Sequence, residues 1–356
     1  MIKNIFQTSN VQHKQLTYEM TDFCFESAWL DISYVMEDVY FDINSDHLLA
    51  VHTGLKDSNV DILEEGFKDF VNGAVEFFKK LINKVKEFMQ KVFMYLNAYI
   101  GDFDKFIKRH SKELSNKYPN FDVTGHKFTI DNNVPDLTVI QDMIDSYNSE
   151  VTGVSEMSKS DIVKKRGEAM NPNNLNKIRA KVLSVSSPIT KEDYNDECKK
   201  KFRNGESDSV SIHVGHNELI NIINGFETFK KSYNSAKKDR DKLISLLENI
   251  KSFFQKSASL QYNEGKQVIA TNNISVNGKG NAISKTGTSN ADYSTDKMIL
   301  YNTYFNFKFA YSKEISAICV NAMNERVNAL KEQLKQSKDI VRKSLGSSDK
   351  YNGGDE

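Results

Sequence analysis

Over residues 219–254 the apolar side chains fall on a seven-residue register. Leu219, Phe226, Tyr233, Leu247 and Phe254 form one row, with Arg240 standing where a further apolar residue would complete it. The companion row of Ile222, Phe229, Ala236, Leu243 and Ile250 is unbroken. Steps of three and four sustained over about five heptads specify a long helix with one seam that must be buried against another helix. Arg240 is expected to snorkel at the edge of that pair, stem on apolar surface and guanidinium in water. All four prolines (Pro119, Pro135, Pro172, Pro188) lie between 119 and 188. The chain on either side is therefore free of the residue that most effectively breaks a helix.

A second long helix fits the apolar line Tyr311, Ile315, Cys319, Ala322, Val327, Leu330, Leu334, Val341 and Leu345. Two such helices predict an antiparallel hairpin over 216–345. Between them, 261–292 is rich in Asn, Gly, Ser and Thr, and Ile274-Ser-Val276 runs into Asn277-Gly278, a type I′ turn signal. A β-hairpin tip is expected there. The tail, 346–356, reads as disordered.

Residues 61–118 are read as an amphipathic helical region. Phe67, Phe70, Phe77, Phe78, Leu81, Phe88 and Leu96 lie on one stripe, with Lys79, Lys80, Lys84, Lys86 and Lys91 opposite. Gly101 is expected to break the helix, with a second, basic helix beginning at Phe103. The preceding segment, 1–60, is acidic: through Phe70 thirteen carboxylates face four lysines. Ala28, Ile32, Val35, Met36 and Val39 allow one short helix in it, and the acidic segment is expected to lie against the basic pair.

The proline-bearing middle, 119–215, reads as a small α+β module. FDVTGHKFTI (121–130) suggests two strand pieces about a Thr-Gly turn, and SVSIHV (209–214) a strand. Helices are expected over 137–147, after Asn171-Pro172, and after the capping-box-like pair Thr190 and Asp193. The fold class expected is thus mainly α: an N-terminal amphipathic helical pair, a small α+β middle, and a long C-terminal hairpin.

Composition narrows function by exclusion. Lys plus Arg equals Asp plus Glu at 48 each, so net charge does not indicate nucleic acid or an anionic membrane as partner. Three distant cysteines give neither a disulfide framework nor a zinc module. The start MIKNIFQTSN lacks a signal-peptide core, and no apolar run approaches the ~20 residues of a membrane span, so neither secretion nor a transmembrane helix is expected. His213 and His216 have no third metal ligand at a recognisable spacing and read as surface histidines. Residues 280–286, GNAISKT, have Ser284 where a phosphate loop needs glycine before its lysine. Lys199, Lys200, Lys201 and Arg203 follow acidic residues and fit helix-end charge placement. No catalytic, cofactor or metal residue is assigned.

The run AVEFFKKLINKVKEFMQKVFMYL, a glycine, the basic DKFIKRHSKEL and then GHKFTI resemble an arrangement in virion structural proteins of large contractile-tailed bacteriophages, including capsid-internal ones. The resemblance covers about residues 61–130. It implies a non-enzymatic component, made in the host cytoplasm and located in the virion, whose partners are other virion proteins, with self-association as a further option. The interaction residues expected are Phe67, Phe78, Leu81 and Phe88 with Lys79, Lys80 and Lys84, and Asn277 and Gly278 at the tip. Two other readings stand beside it: a membrane-active or ejected protein using helix 67–99, and a nucleic-acid-associated internal protein.

Overall fold

The computed structural model describes residue 32 and residues 60–128, 134–150, 156–205, 207–272 and 288–346. Seven helices and two strands occur among them: α1 (Val60–Leu114), β1 (Phe121–Gly125), α2 (Thr138–Glu150), α3 (Lys159–Ala169), α4 (Pro172–Val182), α5 (Tyr194–Phe202), β2 (Val210–Val214), α6 (His216–Asn272) and α7 (Thr288–Gly346). The protein is mainly helical, with one small two-stranded antiparallel sheet.

The first correction concerns Gly101. α1 is a single helix of 55 residues, not a helical pair. A lone glycine costs a helix about 1 kcal/mol relative to alanine. Burying Leu96 and Phe103 on either side of it returns about 1.5–3 kcal/mol each, so the helix continues through. A β-carbon built on Gly101 meets nothing within 4 Å.

α1, α6 and α7 form a three-helix bundle, each helix about 80 Å long at 1.5 Å per residue. Their directions follow from side-chain pairs. Phe78 stacks on Phe254 (5.6 Å), Phe93 meets Tyr233 (5.6 Å) and Phe103 meets Phe226 (4.9 Å), so α6 runs antiparallel to α1. Phe77 packs on Phe309, while Lys338 covers Tyr99 and Arg342 covers Phe106, so α7 runs parallel to α1. The heptad rows of α6 face this core: Leu219, Ala236, Leu243, Leu247 and Phe254 are fully buried, and Ile222 is partly so. Arg240 lies over the Phe93 ring at 5.1 Å and pairs with Asp241 in water, the edge position its heptad slot predicts.

From α2 to Arg203 the middle of the chain is laid out along α7 in sequence order. α2 reaches it at Lys308 and Tyr311, α4 at Glu314 through Arg179, and α5 at Ile318 and Asn321. Arg203 then meets Glu332, and His126 meets Gln336. α7 is thereby enclosed: from Thr303 to Leu334 every residue is buried or half-buried. A helix surrounded on all sides needs no single apolar stripe, and the one-sided line read from the sequence understates its burial. Ile32 is helical and buried in the same core; the rest of the N-terminal stripe lies outside the described residues.

β1 pairs with β2 in the register Phe121↔Val214 to Gly125↔Val210. Among its described residues, 121–128, FDVTGHKFTI supplies one strand, whose partner comes from the SVSIHV segment 85 or more residues away. At Gly125 a β-carbon would lie 2.3 Å from the Gln336 Oε1. That amide is held there because it accepts from the His126 N–H (2.9 Å) and donates to the His126 carbonyl (3.0 Å). α3 was not expected from the sequence, although Ser158 and Asp161 form the capping box that opens it. Thr190 and Asp193 bond reciprocally, one turn before α5 begins.

Helix also extends further into 261–292 than expected, to Asn272 from one side and from Thr288 on the other. The β-hairpin tip at Asn277-Gly278 and the tail after Gly346 lie outside the described residues. Among the described residues no helix is long and apolar enough to cross a membrane.

Replacing Gly101 with alanine is expected to raise unfolding free energy by about 0.5–1 kcal/mol, read from urea melts with an unchanged slope. A drop in stability would restore the helix break.

Candidate functional site

The residues expected to meet partners divide into two groups. Phe78, Leu81 and Phe88 are at most 1% exposed. They are spent within the chain, where α6 and α7 supply the apolar partner that a second protein or a bilayer would otherwise provide. This corrects their assignment as outward contacts. Phe67's side chain, Asn277 and Gly278 lie outside the described residues. Lys79 and Lys80 are exposed and Lys84 is half-buried. Lys79 pairs with Glu76 (3.1 Å) and Lys84 with Glu87 (3.6 Å) on the helix surface.

The two histidines diverge. His213, on the outer face of β2, meets its cross-strand neighbour Asp122 at 2.9 Å. His216 opens α6, bonds to the Lys117 carbonyl at 2.7 Å and stacks on Tyr118. No group of three metal-capable side chains forms among the described residues. Cys198 and Cys319 are buried free thiols, and burial pushes Cys198 up to about 12, so both serve packing.

The most elaborate polar arrangement lies in an open cavity of about 720 Å3 between α2, α3, α4 and α7. Met143, Tyr147, Tyr311 and Ile315 give it apolar walls, and Lys165, Glu168, Lys177 and Lys181 line its polar side. Lys308 is 3% exposed, sequestered between Phe307 and Phe309 of α7. Its Nζ donates to Glu150 Oε2 at 2.6 Å and sits 4.0 Å from the Tyr147 ring centre, with Phe307 and Tyr304 also near. The ammonium is thus held by one carboxylate and three aromatic faces.

Burial raises the Glu150 carboxyl, but the Lys308 hydrogen bond and the nearby Lys308 and Lys165 charges outweigh it and hold the group below its ordinary value. Burial likewise pulls Lys308 down, opposed by the same carboxylate. An ionised carboxylate 2.6 Å from an amine stabilises the protonated amine, so the pair is an ion pair at neutral pH. Tyr147 donates its hydroxyl to the Lys308 carbonyl at 3.3 Å, and burial raises it well above the usual phenol range, keeping it protonated. These charges are committed to each other, so the arrangement is a clamp fixing α2 and α3 on α7. Arg179–Glu314 (2.8 Å) and the Arg326–Asp239 pair repeat the device for α4 and α6.

Sequence reasoning missed every one of these pairs. The signal was a lone lysine inside the aromatic run YFNFKFAY (304–311), and an arginine in the apolar line at 326. Their partners lie 87–158 residues away, which no local pattern reveals. No protein-family model matches the chain, and no curated protein or solved structure does either.

Removing one partner of a buried pair costs about 3–5 kcal/mol. Lys308→Met and Glu150→Leu are each expected to destabilise on that scale, and the double variant by clearly less than the sum, in thermal or urea unfolding. The pH dependence follows from the depressed Glu150 value. Its contribution is complete above the ordinary carboxylate value of 4.5 and is lost as pH falls through the lower folded value. Glu150→Gln should therefore flatten the acid limb below about pH 4.5.

Proposed function

We propose that the chain is a non-enzymatic structural protein of a contractile-tailed bacteriophage particle, inside or on the capsid or tail, acting through helical protein–protein contacts. The observation that carries this reading is the rod: helices of 55, 57 and 59 residues packed on one continuous core. Packing along its described core, Leu219 to Phe254 on α6 and Leu300 to Val341 on α7, keeps such a rod stiff, so contacts about 50–60 Å apart can be held at fixed spacing, as an assembly component requires. The segments that carry the resemblance to phage virion proteins form one uninterrupted helix, α1, followed by β1. What that resemblance supports is accordingly a single long scaffold element.

In this reading the outward lysines of α1, Lys79, Lys80 and Lys84 among them, face acidic surfaces of other virion proteins or of a second copy. α6 and α7 form a hairpin, and Asn277 and Gly278, between them in sequence and outside the described residues, are proposed as an end contact. The protein is made in the host cytoplasm and carried in the virion. No cofactor takes part. Its surface pairs are each worth little alone, so affinity comes from repetition along the rod.

Mass spectrometry of gradient-purified particles is expected to recover peptides of this chain in proportion to known head or tail proteins. Their absence from particles, with the protein present in the infected-cell lysate, would remove the proposal.

A further inference from the structure

The end of α1 and the end of α7 run side by side and carry an excess of positive charge. Over 99–128 and 331–346 eleven lysines and arginines face six carboxylates. Lys105, Arg109 and Lys112 step by four and three along α1 and are exposed, as is Lys335 on α7. None of these four has a carboxylate partner among the described residues. Earlier on α1, Lys79 is answered by Glu76, Lys84 by Glu87 and Lys86 by Glu248, while Lys80 and Lys91 are exposed with no carboxylate partner among the described residues and stand apart from each other along the helix.

Aromatic rings hold three further cations of α7, of which Arg342 and Lys343 are exposed and Lys338 is buried. Lys338 lies 3.8 Å from the Tyr99 ring centre, the Arg342 guanidinium 5.8 Å from Phe106, and Lys343 4.2 Å from Phe121. Beyond them Tyr118 is 58% exposed and stacks on His216 at 4.5 Å. Arg342 and Lys343 are themselves exposed, so a ring holds one side of each while donors stay open to solvent.

We infer that this edge binds the phosphate backbone of nucleic acid. The exposed cations span about 10 Å on α1, Lys105 to Lys112, and about 12 Å on α7, Lys335 to Lys343, at 1.5 Å per residue, and two such rows side by side suit successive phosphates better than one compact anion. The rings hold the cationic side chains extended before a ligand arrives, and an exposed tyrosine offers a face for a terminal base. The zero net charge of the chain does not oppose this. Thirteen carboxylates against four lysines in the first 70 residues account for the balance, leaving the remainder basic. The inference stands on this surface alone: a failed particle assay leaves it intact, and its failure leaves the virion reading intact.

The test is fluorescence anisotropy of the full chain with a labelled 30-base-pair duplex. Engaging about four phosphates predicts a slope of log Kobs against log salt near −4. The variant Lys105→Glu/Arg109→Glu/Lys112→Glu/Arg342→Glu is expected to bind at least tenfold more weakly. The same charge change on α6, Lys231→Glu/Lys237→Glu/Lys238→Glu/Lys242→Glu, should bind nearly as well as the unmodified protein. Hydrogen exchange of the unmodified chain with saturating duplex should show protection at 99–121 and 331–346. No salt-dependent binding, equal loss in both variants, or protection elsewhere overturns the proposal. So does competition by polyglutamate as effective as that by unlabelled duplex, which would assign the edge to an acidic polypeptide, or binding to phosphatidylserine vesicles without binding to duplex.

Discussion

The enclosure of α7 is the constraint from which the rest of the structure follows. From Thr303 to Leu334 none of its residues is exposed, yet it carries Lys308, Ser312, Ser316, Asn324, Arg326 and Gln333 in buried positions. A buried charge without a partner is costly enough to unfold a domain of ordinary stability. The two cations buried in this stretch find their counter-ions on the elements that cover them: Glu150 for Lys308, Asp239 for Arg326. Such pairs add little net stability compared with apolar packing, but a slipped register would strand both charges. They work as alignment marks between α7, the hairpin partner α6 and the short helices.

The same logic explains the middle of the chain. Residues 119–215 spend little on a core of their own: their apolar side chains join the core cluster that runs through the bundle. Tyrosines tie the layers together, with Tyr147 donating to the Lys308 carbonyl, Tyr194 to the Ile318 carbonyl and Tyr233 to the Phe93 carbonyl. Each ring buries apolar area while its hydroxyl finds an acceptor in the helix it covers. The two-stranded sheet would be marginal alone. It is stapled to α7 by the Gln336 amide on the His126 backbone, and a β-carbon at Gly125 would have to displace that amide.

Function, on this view, belongs to the outside of the rod. Aromatic packing at Phe70, Phe77, Phe78, Phe254 and Phe309 consumes the apolar stripe that first suggested a partner. Much of what remains outward is charge, and it is not spread evenly: Lys79, Lys84 and Lys86 pair with carboxylates in the first half of α1, whereas Arg342 and Lys343 are set against aromatic rings where α1 and α7 end. That unevenness favours different partners at different heights of one stiff body.

The sequence alone determined that long helices would form on either side of the proline-bearing middle and which seam of α6 would be buried. Heptad rows and a proline-free chain leave a long helix few alternatives, and Arg240 could be placed at an edge before any contact was known. Only tertiary structure decided that Gly101 is no break, that β1 pairs with a strand 85 or more residues distant, and that Lys308 and Glu150 meet. Periodicity records that a face is covered without recording by what, and a helix covered on every side, like α7, has hardly any period to read. Long-range pairs and the charged edge between two parallel helices arise from packing, which brings together residues that no local spacing connects.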